Sequence, residues 1–371
     1  MTDKLPSLTW VHCLMVLLVS VANFSHAADS VVLTVSKGFG ISLYASDVGD
    51  AKQLAMGDDG TLFVGSDIEG TIVALRDENN DGRVDKRYTI GRHLNSPQAL
   101  AFVKGDLYVA LADGIVKYSQ IEQRLKRPGR PKAVFTTLQD FGDSIVRSMA
   151  VGPDGLLYLA LGAGCNVCEP QAPLGSILAM NVDTGAIKQV ATGVRYVGGM
   201  DWSPAQQLWF SDNGRDWMGD NLPPDEINVM THTGYHFGFP YIHGQDIKEA
   251  SYQQPQQLTI NVPEYLLPAH VSPMGLHFYQ GAQFPLEYHQ QLFVAENGSR
   301  NRSSKVGYQL VVLLSDGEHI VDRQTVVNFM DGEFAVGRPY SIVTAPDGAM
   351  FISDDLKGNI YRLYYKGSEL E

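Results

Sequence analysis

The sequence predicts an all-β fold, a six-bladed β-propeller, on three observations. One phrase recurs six times, a turn followed by a short strand of alternating apolar residues: "GDDGTLFVG" from Gly57, "VKGDLYVA" from Val103, "GPDGLLYLA" from Gly152, "SPAQQLWFSD" from Ser203, "YHQQLFVAE" from Tyr288 and "APDGAMFISD" from Ala345. Aligned on Leu62, Leu107, Leu157, Leu208, Leu292 and Met350, the copies are 45, 50, 51, 84 and 58 residues apart, and all steps but the fourth approach the length of one four-stranded blade. Long amphipathic helical patterns are lacking between the copies, which argues against an alternating βαβ barrel of similar length.

The phrase has a physical logic. Asp-Gly supplies a tight hairpin turn, and the apolar-x-apolar run that follows suits a strand buried against neighbouring blades. The step of 84 residues lies between Leu208 and Leu292 and marks the largest insertion, at about residues 213–287. Long loops on rigid scaffolds are where sites are usually built.

Lys4 precedes an apolar stretch at residues 10–21, and Ser25-His26-Ala27 gives the small-x-small pattern that signal peptidase cuts. The stretch is shorter than the roughly 20 apolar residues of a membrane span. Residues 1–27 are therefore expected to be a secretory signal, and residues 28–371 a single propeller domain without a membrane span, periplasmic or secreted. The formal net charge of -13 repels phosphate backbones, so nucleic acid is excluded as a partner. Once Cys13 leaves with the signal, Cys165 and Cys168 remain. Haem attachment would need a histidine where Glu169 stands, and zinc would need two more nearby ligands, so a local disulfide is expected.

The densest run of charged and amide groups, "DNGRDWMGDNLPPDEIN" at residues 212–228, opens the insertion. Composition gives it two readings. One is a solvated turn. The other is a calcium site, with Asp212, Asp216, Asp220, Asp225 and Glu226 as oxygen donors and Gly219 and Pro223 turning carbonyls inward. Arg215 would pair with a neighbouring carboxylate or clamp an anionic ligand. A second acidic stretch, "DENNDGRVD" at residues 77–85, lacks the closing glutamate and the helices of an EF-hand and reads as a hairpin. His232, His236, His243, His270 and His277 gather without a serine or cysteine elbow, and most read as loop or core residues.

Five stretches, "LWFSDNGRDWMGDNLPPDEIN", "GYHFGFPYIHG", "GLHFYQGAQFP", "FVAENGSRNRSSKVGY" and "GRPYSIVTAPDGAMFISDDLKGNIYRL", resemble the sorbosone dehydrogenase branch of the soluble quinoprotein glucose dehydrogenase family. The resemblance runs from "GFGISLYA" to the C-terminus. It implies a six-bladed propeller that holds pyrroloquinoline quinone (PQQ) over its axis with calcium. It further implies oxidation of a sugar or polyol, a base removing the hydroxyl proton while hydride passes to the quinone; the electron acceptor stays unknown. Because PQQ bears three carboxylates, its pocket calls for arginines. Arg195, Arg302 and Arg338 stand where the family has them, and Arg215 with Asn213 keeps the "NGRD" motif. The resemblance places calcium at the Gly219-Asp220-Asn221 turn.

The departures bear on chemistry. In "DSIVRSMAVGPDG", Ser144 stands at the place of the family's catalytic histidine, which leaves Asp143 as the adjacent side chain able to act as base. Arg195-Tyr196 replaces Arg-Asn, residues 297–302 read Asn-Gly-Ser-Arg-Asn-Arg in place of His-Gly-Ser-Trp-Asn-Arg, and Ser341 replaces an aspartate. The expectation is thus a PQQ-dependent dehydrogenase-like protein with impaired catalysis. Two other readings stay open: a non-catalytic propeller that binds sugar or protein, and a calcium-dependent lactone hydrolase with its metal on the axis.

Overall fold

All six recurrent phrases become the same piece of structure, the turn into and the body of the second strand of a four-stranded antiparallel sheet. Leu62, Leu107, Leu157, Leu208, Leu292 and Met350 lie at the starts of these strands, and all are buried. The computed structural model describes residues 1–2, 33–135, 146–317 and 319–367. The chain divides into two units, Met1–Val32 and Leu33–Glu371, and the propeller lies in the second. The expected leader falls almost wholly outside the described residues, as do Asp143 and Ser144.

Ala51–Met56, Ala99–Val103, Val146–Val151, Val197–Trp202, Pro273–Phe278 and Pro339–Thr344 are the innermost strands of the six blades. Each touches the next and the last touches the first, which closes the ring. Close approach at the axis explains the glycines there. A Cβ on Gly198 would collide with the Pro273 carbonyl, and one on Gly275 would lie 2.6 Å from the Tyr340 carbonyl. The apolar core is divided accordingly into six buried clusters, one in each gap between neighbouring blades.

The ring is sealed by the start of the domain. Phe39–Ala45 pairs antiparallel with Asn359–Tyr365 as the outer strand of the sixth blade, and Thr34–Val35 adds to the outer edge of the fifth at Ile320–Asn328. Phe39 is 3% exposed and meets Phe284, Tyr288 and Tyr365 edge-on at 5.0, 5.1 and 5.3 Å between ring centroids.

Within residues 213–287, Asp225–Met230 and Tyr265–Leu267 complete the fourth blade, and Pro273–Phe278 begins the fifth. The excursion beyond the blade pattern is residues 231–264. It lends Tyr235–His236 as a parallel fifth strand to the third blade and forms a small hairpin from Ile242–His243 and Ile247–Lys248. Residues 77–85 connect Thr71–Arg76 to Lys86–Gly91 as a hairpin loop. Among the described residues, no helix is long and apolar enough to cross a membrane.

The seal generates a prediction. Phe39→Ala should cost about 3–5 kcal/mol, since it empties an aromatic cluster at the joint. Leu43→Ala on the same strand, where the side chain is 48% exposed, should cost under about 0.5 kcal/mol. Urea midpoints of the two variants measure the difference.

Candidate active site

Where the second strand of a blade ends, the innermost strand begins, and there the register slips. In five blades the pairing of these two strands jumps near the start of the innermost strand, while the second blade stays regular. A bulge re-aims side chains. The slipped stretches contribute Lys52, Met274 and Tyr340 to the wall of a cavity at this end of the axis.

In the fourth and sixth blades the last two letters of the repeated phrase, Ser-Asp, hold the slipped strand. Ser211 Oγ accepts from Gly199 N at 3.0 Å and donates to the Pro273 carbonyl at 2.8 Å. Ser353 Oγ accepts from Ser341 N at 2.9 Å and donates to the Lys52 carbonyl at 2.8 Å. The aspartates grip the segment before the strand. Asp212 accepts from Arg195 N at 2.8 Å and Tyr196 N at 2.6 Å, and Asp354 accepts from Arg338 N at 2.9 Å. Two arginines are thereby fixed at equivalent places in two blades.

The cavity measures about 290 Å³ and is lined by Lys52, Arg195, Asn213, Arg300 and Arg338, with Tyr340, His270, Asp216, Asp225 and Asp355 among its other residues. Three of the expected cofactor residues, Arg195, Asn213 and Arg338, are brought together here. Arg215, Arg302, Asp220 and Asn221 are not part of the lining. Sequence reasoning missed Lys52 and Tyr340, which depend on the bulges for their direction. It treated Arg300 only as a departure from tryptophan and His270 as a loop residue.

Asp355 sits between two of the cations. Its Oδ1 accepts from Arg338 Nε at 2.5 Å and its Oδ2 from Lys52 Nζ at 2.8 Å, and Lys52 also lies 4.8 Å above the Tyr340 ring. Among the described residues neither Nη group of Arg338 has a hydrogen-bond partner, so that arginine keeps most of its fork for a ligand. Arg195 is different. Its Nε donates to the Asn166 carbonyl and its Nη2 to Asn166 Oδ1, each at 2.9 Å, while Nη1 donates to the carbonyls of Gly214 at 2.9 Å and Asn213 at 3.2 Å. Asn166 belongs to the tight loop closed by the Cys165–Cys168 disulfide, as the cysteine spacing led one to expect. Burial lowers the Arg195 pKa against the opposing pull of Asp212, Asp216 and Asp225. Arg195 is thus a fixed charge in the wall.

The remaining expected residues brace loops. Arg215 pairs with Glu249, which also bonds His243 Nε2 at 3.1 Å and Ser251 N at 3.0 Å. Burial opposes ionisation of Glu249, yet these bonds bring its pKa down to about 2. Arg302 donates to the Asp220 carbonyl, and Asp220 Oδ1 accepts from Ser303 N at 3.0 Å. His270 Nε2 donates to the Gly219 carbonyl at 2.8 Å, which leaves Nδ1 unprotonated in the neutral ring. Among the described residues no group of three or more His, Cys, Asp or Glu side chains is arranged to hold a metal ion.

Three buried carboxyl groups belong to this region, Asp225 in the cavity wall and the neighbouring Asp212 and Glu226. Asp225 accepts from Gly214 N at 2.7 Å and Ser272 N at 2.8 Å, and burial pushes its pKa up to about 7. Asp212 faces Glu226 across paired strands. Burial raises Asp212 to about 6, and burial together with the Asp212 charge raises Glu226 to about 8. Each group therefore binds its proton more tightly in the folded chain than in the unfolded one, so stability is fully present below the unfolded pKa of about 4 and is lost as pH rises through the folded values.

The urea midpoint should accordingly fall between about pH 5 and about pH 8.5, and Glu226→Gln, an isostere of the neutral acid, should flatten that slope. Asn228 Oδ1, buried without a partner, can turn to accept from the new amide. An unchanged slope in the variant would assign the pH dependence to other groups.

Comparison with known proteins bears on the family and the fold. A family model described as a domain of unknown function, DUF7133, matches residues 25–361. An uncharacterised protein of Borreliella burgdorferi is 33% identical over 367 residues, 93% of this chain and 95% of its own. Among solved structures, the calcium structure of Trichoderma reesei Carbohydrate-Active Enzymes Family AA12 superposes with a TM-score of 0.76 at 17% identity, covering 91% of this chain and 98% of its own. The holo PQQ domain of Coprinopsis cinerea pyranose dehydrogenase gives 0.73 at 16% identity, over 90% and 97%. The PQQ-bound aldose sugar dehydrogenase of Streptomyces coelicolor gives 0.64 at 19%, over 89% and 99%. At these identities the solved structures speak for the fold, the six-bladed propeller. The family match extends over nearly all the propeller, and the chain belongs to the DUF7133 family.

Proposed function

We propose that this protein is an exported, PQQ-dependent dehydrogenase of the sugar class that takes the quinone into the axial cavity. One observation carries the reading. In a chain of net charge -13, Lys52, Arg195, Arg300 and Arg338 converge on a single cavity, and among the described residues both Nη groups of Arg338 are unpaired. A planar polycarboxylate suits such a site, because guanidinium forks match carboxylates and a concave wall concentrates the field. The volume lies near the lower end of small-molecule sites, roughly 300 Å³. Solved structures of the same fold whose names include PQQ and sugar dehydrogenases support the reading.

Arg338 and Arg300 would hold carboxylates, Arg195 would add its fixed charge, and Asn213 would line the cofactor. PQQ, when bound, supplies the two-electron oxidising capacity for a sugar or polyol hydroxyl. Arg215 and Arg302 would act by bracing the loop between them. Asp143 is the proposed base, replacing the family histidine whose place holds Ser144, and a carboxylate in that role accounts for the impaired catalysis of this reading. Calcium was expected at Asp220 and Asn221. The carbonyl and one carboxylate oxygen of Asp220 are already taken by Arg302 and Ser303, so that turn suits a metal ion poorly and no step is assigned to it. Serine at the histidine's place favours one second reading, a propeller that binds without catalysing.

Titration of the purified protein with PQQ should show saturable binding of one molecule per chain, weakened tenfold or more (roughly) by Arg338→Ala, since bonds to charged groups are worth about 1.5–3 kcal/mol. Dye-coupled aldose oxidation, the dye standing in for the electron acceptor, should be slow and slower still in Asp143→Asn. Binding without turnover would select the non-catalytic propeller, and absence of binding would refute the quinone reading.

A further inference from the structure

We propose that Trp217 is the platform of a carbohydrate subsite at the rim of the axial cavity, where one pyranose ring of an oligosaccharide stacks on the indole. That the sugar's reacting end lies inside the cavity rests on the preceding reading; the platform is argued from its own surroundings.

Trp217 is 74% exposed and its backbone is left-handed, with φ of 68°. Bulky side chains rarely adopt that conformation, and where they do the surroundings impose it. Here the surroundings are explicit. On one side, Gly214 N donates to Asp225 Oδ1 at 2.7 Å, the Gly214 carbonyl accepts from Arg195, and Asp216 N donates to Asn166 Oδ1 at 2.8 Å. On the other, the Gly219 carbonyl accepts from His270 Nε2 at 2.8 Å, and Asp220 is tied to Arg302 and Ser303. The main chain is pinned on both sides of a residue whose ring, among the described residues, stacks on no other aromatic. The pins hold the indole out in solvent against its own backbone preference, so binding there needs little further ordering of the loop.

The chemistry beside the ring selects the ligand. An indole offers a flat apolar face and one N–H at its edge. Asp216, the preceding residue, lines the cavity and lies 4.0 Å from Arg195 Nη2, while the Asp220–Asn221 turn follows close behind. A pyranose has the matching form, a face of C–H groups and a rim of hydroxyls that bond to carboxylates and amides. A protein partner would call for a contiguous apolar patch. The other exposed large apolar residue of this loop, Leu222 at 45%, is separated from Trp217 in the chain by the half-buried Met218 and by Gly219, Asp220 and Asn221.

The test uses the protein without cofactor, titrated with cellotetraose and with maltotetraose while tryptophan emission is followed. In the mature chain, which loses Trp10 with the expected leader, the indole nitrogens of Trp202 and Trp209 are buried, so a shift toward shorter wavelength reports Trp217. At least one tetraose should give a saturable shift. Calorimetry should find affinity kept within about threefold in Trp217→Phe and lowered by about tenfold in Trp217→Ala, the scale of an aromatic contact. Trp217→Gly, which relieves the left-handed backbone as it removes the ring, should raise Tm while losing the sugar. The platform is refuted if neither tetraose binds, if the alanine variant binds as tightly as the parent, or if the glycine variant melts lower. A parallel PQQ titration separates the two ideas: tetraose binding without PQQ binding would refute the quinone reading and leave the platform standing, and the reverse would do the opposite.

Discussion

The candidate site depends on a carboxylate at the end of a second strand taking the backbone N–H groups that precede an innermost strand. Asp212 does this for Arg195 and Tyr196, and Asp354 for Arg338. Backbone donors in that position have no ladder partner, and leaving them buried and unmade would cost more than a formed bond returns. The carboxylates lose hydration in exchange, which is why the raised pKa of Asp212 and the fixed cation of Arg195 occur together. The arginines of the wall are therefore set by main-chain bonds, and the identity of each side chain can change without disturbing the bond that places it.

That separation is visible in where the chain departs from the family it resembles. Arg300, Tyr196 and Ser341 all lie at the axis or its mouth, whereas the six apolar clusters lie in the gaps between blades. Stability and chemistry occupy different parts of the molecule. Substitution at the axial end meets polar groups and water, while substitution in a gap meets close-packed side chains on two sheets.

The same division governs what could be read from the sequence. The six blades were legible because an Asp-Gly turn and an alternating strand are local features, repeated at a length close to one blade. The local disulfide was legible for a similar reason. The site was legible only in part. Arg195, Asn213 and Arg338 follow from motifs, but Lys52 meets Asp355 across 303 residues and is turned inward by a register slip that no pattern of apolar residues encodes. Arg302 stands in a family motif, yet it is occupied by the Asp220 carbonyl, a long-range pairing invisible in either stretch alone. Asp143 and the leader lie outside the described residues, and their roles stand as proposals.

The closure of the ring by Phe39–Ala45 gives the axial cavity a place in time as well as in space. A strand synthesised before the first blade completes the last blade to be synthesised, so it must wait, unpaired, until Asn359–Tyr365 exists. A chain that ends before Asn359–Tyr365 lacks the partner that Phe39–Ala45 needs. Three of the cavity's charges meet at the same seam: Lys52 comes from the first blade, Arg338 and Asp355 from the sixth, and the Lys52–Asp355 bond spans the joint between them. An anion held by both cations would act as a rivet across the last joint to close.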